Sequence, residues 1–305
     1  MPAPTLRSLG RQLGLSRTTV SDAIRGSSRV NPETAKRVLE AAKAASYKHN
    51  ALAGALMSEI RRSRSQVFGG VLAMIDVEEP GRSAQARQFN QDVIAGVTKR
   101  GAELGFKAEL FTVQTKRQSL SKLNTLLEAR DIRGLVLLPA CVEWDWTALN
   151  WDRCIGIYTG YAIDRPPLHS ICSDHYPSLV DALDRVIKLG YRRPGLFLDG
   201  SHDMKLQYGR EAAFLAFQRR TPGIAAIPPL LMNSIAEEEF IPWFRRHQPD
   251  VVLGPRSDVV PWMEACGARI PDTHGFLCLN ILMQPTPCAG LDLQPQVIGA
   301  LCAES

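Results

Sequence analysis

Residues 16–26, SRTTVSDAIRG, place short hydrogen-bonding side chains ahead of a brief apolar stripe. Ser16 can cap a helix, and Val20 and Ile24, four residues apart, lie on one face of it. Hydroxyl and guanidinium groups at the start of a helix can hydrogen-bond base edges and phosphates. This segment is therefore a candidate nucleic-acid contact, and its polar members lie off the apolar stripe: Arg17, Thr18, Ser21, Asp22 and Arg25.

Three short helices are predicted to position that segment. Leucines at i, i+3 and i+7 predict a helix over residues 5–13, and Gly14 ends it because glycine takes the left-handed cap without strain. The second helix buries Val20, Ala23 and Ile24. The third helix has Asn31 as its cap and Pro32 as its first residue, and its predicted inner face comprises Val38, Leu39, Ala42 and Ala45.

Two short helices around a glycine turn, closed by a third, predict a helix-turn-helix. Its second helix would enter the major groove with Ser16, Arg17, Thr18 and Ser21 towards the DNA. The alternative is a small helical domain with a solvated polar face.

The distribution of charge favours the DNA-binding interpretation. Residues 1–65 contain 12 Lys/Arg and 4 Asp/Glu, a net charge of +8, whereas the remaining residues carry 24 and 27, a net charge of −3. Excess positive charge confined to one small module is typical of a nucleic-acid-binding unit attached to a larger neutral domain.

The composition bounds the remaining possibilities. The chain has 305 residues, of which 45% are hydrophobic, enough for two globular domains. No apolar run is long enough to span a bilayer and the N-terminus has no apolar signal core, so we expect a cytoplasmic protein with no membrane partner. The seven cysteines show no C-x-x-C spacing, which predicts free, mostly buried thiols and neither a metal site nor a cofactor.

Apolar strands alternate with helices after the basic linker that ends near Gln66. Strand-like segments include VFGGVLAMI, KAELFTV, IRGLVLLPA, RCIGIYTG, HSICSD, RRPGLFLD, DVVLG and THGFLCLN. The pattern predicts two α/β units of parallel sheet, separated near residues 162–167, with ligands bound beyond the strand carboxyl ends. No G-x-G-x-x-G or P-loop is present, so the units need not bind nucleotides.

Residues 5–57 resemble the DNA-binding head of the LacI/GalR (lactose-repressor) family. The matches are continuous over the segment: Thr5, Gly14, Ser16, Thr19, Val20, Ser21, Val30, Thr34, Arg37, Val38, Tyr47, Asn50, Ala53 and Leu56.

The resemblance implies a role for each matching polar residue. Arg17 and Thr18 would read bases, whereas four hydroxyls would hold phosphates: Ser16, Thr19, Ser21 and Thr34. Residues 50–57 resemble a hinge helix that folds only on DNA, with Leu56 wedged into the minor groove. The alternative for Leu56 is an ordinary apolar residue of the linker. The other expected DNA contacts are Thr5, Arg25, Tyr47, Asn50 and Ala53. Asp22 departs from the Arg frequent in the family, and would either accept from cytosine N4 or be repelled by phosphate.

The rest of the chain resembles the family's effector domain, two Rossmann-like lobes around a cleft as in periplasmic sugar-binding proteins. VIKLGYRRPGLFLDG, GREAAFLAF and PDVVLG are the best matches. Arg210 matches an arginine that holds polar groups of the effector, and its planar fork suits sugar hydroxyls, a carboxylate or a phosphate equally. The less favoured alternative is a surface arginine on an amphipathic helix. Arg256 and Asn280 stand at altered match positions and are the other candidate effector contacts. Trp144 and Trp146 fit ligand stacking less well than packing.

The predicted organisation is a helix-turn-helix domain over 1–49, a hinge and linker over 50–66, and an effector and dimerisation domain over 67–305. Its lobes would comprise 67–163 with 290–305, and 164–289. Family members usually continue for about thirty residues after LDLQPQVIGALCAES, so we expect either that this form is truncated or that the lobe is completed otherwise. A trimmed lobe should expose apolar surface and weaken dimerisation.

The predicted function is a homodimeric transcriptional regulator, most simply a repressor, that binds a palindromic double-stranded DNA operator and a small-molecule effector such as a sugar or sugar derivative. The alternative is a small-molecule-binding protein without regulated DNA binding. An enzyme is disfavoured, because the only thiol–histidine pairing suggested by the sequence, Cys172 with His175, would place the two side chains on opposite faces of a strand.

Overall fold

The computed structural model describes residues 6–24, 30–45, 69–114, 117–140, 145–161 and 166–305. The chain divides into two compact units, Met1–Ser65 and Gln66–Ser305.

The described part of the first unit is helical, with α1 (Leu6–Leu13), α2 (Arg17–Ile24) and α3 (Pro32–Ala44). The three helices close around a small apolar core of Leu9, Val20, Ala23, Val38 and Ala42. The prediction that Leu39 belongs to this core is wrong, because its side chain is 50% exposed. Val38 and Ala42 form the buried i, i+4 stripe of α3, and Leu39 is rotated about 100° away from Val38.

The described residues of the second unit form two five-stranded parallel sheets, as the alternation of strands and helices predicts. The first sheet has the order β2-β1-β3-β4-β5 and the second has the order β10-β9-β8-β6-β7. Strands of the first sheet are β1 (Val71–Glu78), β2 (Lys107–Gln114), β3 (Gly134–Leu137), β4 (Ile155–Tyr158) and β5 (His169–Ser170). Strands of the second sheet are β6 (Pro194–Asp199), β7 (Leu230–Met232), β8 (Val251–Gly254), β9 (Gly275–Cys278) and β10 (Ala289–Gly290).

Eight described α-helices accompany these sheets. They are α4 (Ala84–Glu103), α5 (Arg117–Ala129), α6 (His175–Lys188), α7 (Gly200–Lys205), α8 (Gly209–Arg220), α9 (Glu237–His247), α10 (Val260–Ala265) and α11 (Pro295–Glu304).

Both faces of each sheet are buried, which is why the strands appear in the sequence as nearly continuous apolar runs. In β1, Ile75 belongs to one core cluster and the neighbouring Met74 to the cluster on the opposite face. In β8, Val252 and Leu253 divide between two clusters in the same way. The α/β fold class predicted from the sequence is therefore confirmed.

The C-terminal helix α11 packs closely against α4. Ile298 and Cys302 of α11 join Val93 and Val97 of α4 in the core of the first sheet. On the outer side of the same helix, Val297 is 49% exposed and Leu301 is 44% exposed.

Two aspects of the second unit differ from expectation. The segment HSICSD forms a strand only at His169–Ser170, and His175 begins a helix, so Cys172 and His175 do not share a strand. Three helices (α7, α9 and α10) and two short strands (β7 and β10) were not predicted from the apolar pattern. Among the described residues, no helix is both long and apolar enough to cross a membrane.

Candidate functional sites

The turn between α1 and α2 fixes the direction of the second helix. Gly14 has a φ of 66°, in the left-handed region. The amide of Leu15 donates to the carbonyl of Gly10 at 2.9 Å, and the amide of Gly14 donates to that of Arg11 at 3.4 Å. This pair of bonds is a Schellman motif, which satisfies the last carbonyls of α1 and turns the chain sharply into α2.

Ser16 caps α2, as its position in the sequence predicts. Its Oγ accepts from the amide of Thr19 at 3.1 Å and lies 2.9 Å from the Thr19 hydroxyl oxygen. Ser16 is exposed, so its hydroxyl sits at the positive end of the helix and remains accessible to an anion. Asn31 caps α3 in the same manner, with its Oδ1 accepting from the amide of Glu33 at 2.9 Å.

The structure describes the other predicted DNA contacts only in part. Thr34 lies half-buried in the first turn of α3. Four lie within α2, but their side chains are outside the described part: Arg17, Thr18, Ser21 and Asp22. Six lie wholly outside the described residues: Thr5, Arg25, Tyr47, Asn50, Ala53 and Leu56.

In the second unit, the predicted effector residue Arg210 is not a surface arginine. It lies in the first turn of α8 and is only 4% exposed. The buried Asp203 of α7 caps this turn, because its two carboxylate oxygens accept from the amides of Arg210 at 3.3 Å and Glu211 at 3.2 Å. Gln207 and Tyr208, which join the two helices, both have positive φ angles, 55° and 57°. Strained backbone of this kind is common at ligand sites.

His175 contacts the guanidinium of Arg210, and Tyr161 stacks on His175. Nη2 of Arg210 lies 3.4 Å from Nδ1 of His175. The guanidinium can only donate, so Nδ1 accepts and the ring proton belongs on Nε2. The Tyr161 ring stacks on the His175 ring with centroids 5.9 Å apart and planes within 12°.

Burial favours the uncharged forms of His175, Tyr161 and Cys172. Burial first, and then the positive charge of Arg210, lowers the pKa of His175 to about 3. Burial raises the pKa of Tyr161, and it also raises the pKa of the Cys172 thiol. The histidine is thus a neutral hydrogen-bonding group, and the thiol lacks the lowered pKa expected of a nucleophile.

Arg210 carries a positive charge at a position that is almost completely buried from solvent. Burial lowers its pKa, against the opposing effect of Asp203. Within the described part of the chain its guanidinium forms no ion pair at salt-bridge distance, because the Asp203 oxygens are directed to backbone amides. A buried guanidinium with donors to spare is suited to an anionic or hydroxyl-rich ligand.

The other two predicted effector residues are already engaged by the chain. Arg256 is exposed and pairs with Asp258 through its Nη2 atom. Asn280 follows β9, and its Oδ1 accepts from the amide of Leu282 at 3.0 Å. Among the described residues, neither Arg256 nor Asn280 contacts Arg210, so the structure does not gather the three predicted residues into one cluster.

The carboxyl end of β1 in the first sheet is filled by ion pairs. Nη1 of Arg82 lies 2.8 Å from Oδ1 of Asp76, and its Nε donates to Glu79 at 3.1 Å. The buried Asn90 of α4 donates to Asp76 and to the carbonyl of Pro139, both at 3.2 Å. These polar groups therefore satisfy one another at the strand end.

Trp146 is a packing residue, the favoured interpretation of this aromatic segment. It is 2% exposed within the core of the first sheet, and its carbonyl accepts from Nε1 of Trp151 at 2.7 Å. Trp144 lies outside the described residues. In the parts of the chain that the structure describes, no group of three His, Cys, Asp or Glu residues is placed to hold a metal ion.

Sequence reasoning identified Arg210 but not the residues around it, namely Tyr161, His175 and Asp203. For two of these residues, the sequence contained a signal that could have identified them. Tyr161 follows β4 and His175 follows β5, and polar residues just after parallel strands lie at the ligand-binding edge of a sheet.

The comparisons with known proteins agree with these features. No protein-family model matches the chain. It is 25% identical over 198 residues to the HTH-type transcriptional regulator MalR of Streptococcus pneumoniae, a match that covers 65% of this chain. That alignment spans 57% of the relative's own length, less than two thirds of it.

Solved structures extend the likeness over the whole chain. A complex of the transcriptional regulator CelR with cellobiose matches with a TM-score of 0.57 and 20% identity, covering 99% of this chain and 91% of CelR. The Lac repressor dimer bound to operator and the anti-inducer ONPF matches with a TM-score of 0.57 and 14% identity over the same shares. These likenesses concern the fold. The resemblance found in the sequence is thus confirmed: the chain is similar to LacI/GalR-family transcriptional regulators and shares their fold.

Proposed function

We propose that this protein is a sequence-specific DNA-binding transcriptional regulator, most simply a repressor. The observation that carries the proposal is the α1–turn–α2 geometry. A Schellman turn at Gly14 leads directly into a helix whose exposed cap, Ser16, precedes the predicted base-reading residues Arg17 and Thr18. This arrangement lies in the part of the chain that carries a net charge of +8. Helix, cap and charge together suit the major groove.

The protein is proposed to act as a homodimer on a palindromic operator. A single eight-residue helix such as α2 reads only a few base pairs, and two copies related by a dyad supply a complete site. The Lac repressor in the operator complex is a dimer. In the same proposal, Leu56 wedges into the minor groove between the two half-sites, where insertion of an apolar side chain bends the duplex.

The cleft of the second unit is proposed to bind a small-molecule effector at Arg210, with His175 and Tyr161 beside it. A neutral histidine, a tyrosine and a buried guanidinium offer an aromatic surface and directional hydrogen bonds, which suit a sugar or a sugar derivative. The relative CelR was solved with cellobiose, which supports a carbohydrate. A bound ligand would then favour one lobe arrangement and change the DNA affinity.

Selection of bound sequences from random duplex DNA, with the full chain at one fixed salt concentration, tests the regulator proposal. We expect a palindromic site, and we expect Arg17→Ala to weaken binding to that site more than binding to random DNA. Lys43→Ala is the matched control, because it removes one positive charge from the exposed last turn of α3. Enrichment of no sequence would overturn the proposal and favour the alternative, a small-molecule-binding protein.

A carbohydrate panel tests the effector proposal separately. The panel contains cellobiose, other disaccharides, sugar phosphates and sugar acids, and the melting temperature of the protein is followed for each. A binding compound raises that temperature, and Arg210→Lys should abolish the rise because lysine lacks the planar donor fork. Arg219→Lys, at an exposed position on the same helix, should not. A compound that stabilises both variants equally does not bind at Arg210.

A further inference from the structure

The side chain of Gln284 is held at the carboxyl ends of two strands of the second sheet. Its Oε1 accepts from the amide of Ser257 at 2.8 Å. Its Nε2 donates to the carbonyl of Asn280 at 2.7 Å and to that of Pro255 at 3.3 Å. Both donor protons and the carbonyl oxygen of this one amide are thus used on backbone groups.

The place that Gln284 fills is the place where ligands of such sheets bind. Pro255 directly follows β8, and Asn280 lies two residues beyond β9. In open parallel sheets the ligand crevice lies outside the carboxyl ends of the strands, where backbone groups and loop side chains face it. Here those backbone groups are hydrogen-bonded to a side chain of the chain itself.

Residues 280–286, which we term the brace segment, are fastened at further points. Within the segment, the amide of Leu282 donates to Oδ1 of Asn280 at 3.0 Å. At its end, the amide of Thr286 donates to Oγ of Ser257 at 3.0 Å, and Ser257 is fully buried. The segment therefore lies against the loop that follows β8 along most of its length.

The brace segment also reaches the other lobe. Nε2 of Gln85 donates to the carbonyl of Leu282 at 2.8 Å. Gln85 lies in the first turn of α4, which packs on the first sheet. The segment thus connects the second sheet, through Gln284, with the first lobe, through Leu282.

We infer that Gln284 takes the place of a bound ligand. Through the brace segment and Gln85, it holds the two lobes in one arrangement when no small molecule is bound. A ligand that enters from the side of β8 and β9 must first displace Gln284, so effector contacts are confined to the side of Arg210. The proposal that the brace segment regulates DNA binding rests on the proposed function. The proposal that it connects the two lobes does not.

Amide hydrogen exchange of the full chain, free of DNA and ligand, tests the mechanical role. Gln284→Ala deletes all three side-chain bonds, and we expect exchange at Ser257 and Thr286 to accelerate by roughly tenfold or more. Because the brace connects the lobes, exchange should also accelerate in residues 84–90 of the first lobe. Gln85→Ala should have the reciprocal effect and accelerate exchange in residues 280–286.

Two glutamines provide matched controls. Gln88 lies one turn beyond Gln85 on α4 and, among the described residues, its side chain bonds only to Asp92 of the same helix, at 3.2 Å. Gln218 bonds the carbonyl of Ile227 at 2.9 Å within the second lobe. Gln88→Ala and Gln218→Ala should leave exchange across the cleft unchanged. Unchanged exchange in Gln284→Ala, or acceleration that stays within its own lobe, would overturn the inference.

DNA binding then tests the regulatory role. If the brace sets the lobe arrangement that the DNA-binding unit senses, the ligand-free Gln284→Ala variant should differ from the unaltered chain in operator affinity by about 5- to 150-fold, the usual range of allosteric coupling. If Gln284→Ala accelerates exchange in both lobes but binds the operator with the same affinity as the unaltered chain, the regulatory role is rejected. Failure of the unaltered chain to bind any DNA would instead reject the proposed function, and the exchange result would stand.

Discussion

Gly96 of α4 and Gly299 of α11 lie where these two helices touch backbone to backbone. A Cβ atom at Gly96 would come 2.0 Å from the carbonyl oxygen of Gln296, and one at Gly299 would come 2.1 Å from that of Val93. Helix α11 is thereby seated against the first sheet, after the chain has passed through the second sheet. Because the obstructing atoms are backbone, neither helix can relieve a clash by changing a rotamer.

Gly299→Ala should therefore lower the free energy of unfolding of the second unit. We expect a loss of about 3 kcal/mol, the upper end of the usual cost of overpacking. All five tryptophans lie within residues 66–305, so urea unfolding followed by tryptophan fluorescence reports this unit alone. Gly200→Ala is the matched control, since its Cβ would meet its nearest atom at an ordinary 3.7 Å. Coincident unfolding curves for Gly299→Ala and the unaltered chain would contradict the close approach.

Features determined by neighbouring residues were predictable from the sequence. Gly14, Ser16 and Asn31 act within a few positions of their own place in the chain, and each forms the turn or cap that its residue type favours. Leu39 was misplaced because an apolar residue beside the buried stripe of a short helix is indistinguishable, in composition, from one within it. Helix α9 was missed because it contains Pro242, which ordinarily marks a helix boundary.

The contacts around Arg210 and the brace segment were less predictable because they join distant parts of the chain. His175 and Arg210 are 35 positions apart, and Gln85 and Leu282 are 197 positions apart. A match to a family motif can identify Arg210, but it does not reveal that Asp203 caps the turn of Arg210. Nor does it reveal that Gln284 occupies the strand ends. Those relationships depend on how the lobes pack, which no local pattern encodes.

The exposed Ser16 hydroxyl allows its two proposed roles, helix cap and phosphate contact, to be separated. Ser16→Ala removes the cap and should weaken α2 by about 1 kcal/mol, whereas Ser16→Asp keeps a good cap. Asp nevertheless places a negative charge where a phosphate is expected, so its DNA affinity should fall by about tenfold or more at low salt. Amide exchange over residues 17–24 measures the cap, and titration with the selected site measures affinity. If Ser16→Asp binds DNA as well as the unaltered chain, Ser16 does not approach a phosphate.

Asp22 stands in α2 where the family frequently has arginine, and the choice between its two predicted roles can be made by experiment. If Asp22 accepts from cytosine N4, Asp22→Arg should change the preferred base pair at one position of each half-site, since arginine favours guanine. Glu40→Arg, the same change of charge at an exposed position of α3, should raise affinity without changing the preferred sequence. Identical selected sites for Asp22→Arg and the unaltered chain would show that Asp22 contacts no base.

His175 should make the stability of the second unit depend on pH. Its pKa is lowered to about 3 by burial and by Arg210, whereas an unfolded histidine titrates near its ordinary 6.5. Below that ordinary value the unfolded chain binds a proton that the folded chain does not, so stability contributed by the neutral histidine is lost as pH falls from about 6.5 towards 3. The greatest slope for one group is about 1.4 kcal/mol per pH unit.

Urea unfolding at pH 7 and pH 5, followed by tryptophan fluorescence, measures this dependence. His175→Gln keeps an acceptor for Arg210 but cannot be protonated, so its loss of stability between the two pH values should be smaller than that of the unaltered chain by about 1–2 kcal/mol. His247→Gln serves as the control. The His247 ring contacts Trp243 on α9 and, among the described residues, has no hydrogen bond to Arg210. Parallel pH dependence for His175→Gln and the unaltered chain would mean that His175 is not held neutral beside Arg210.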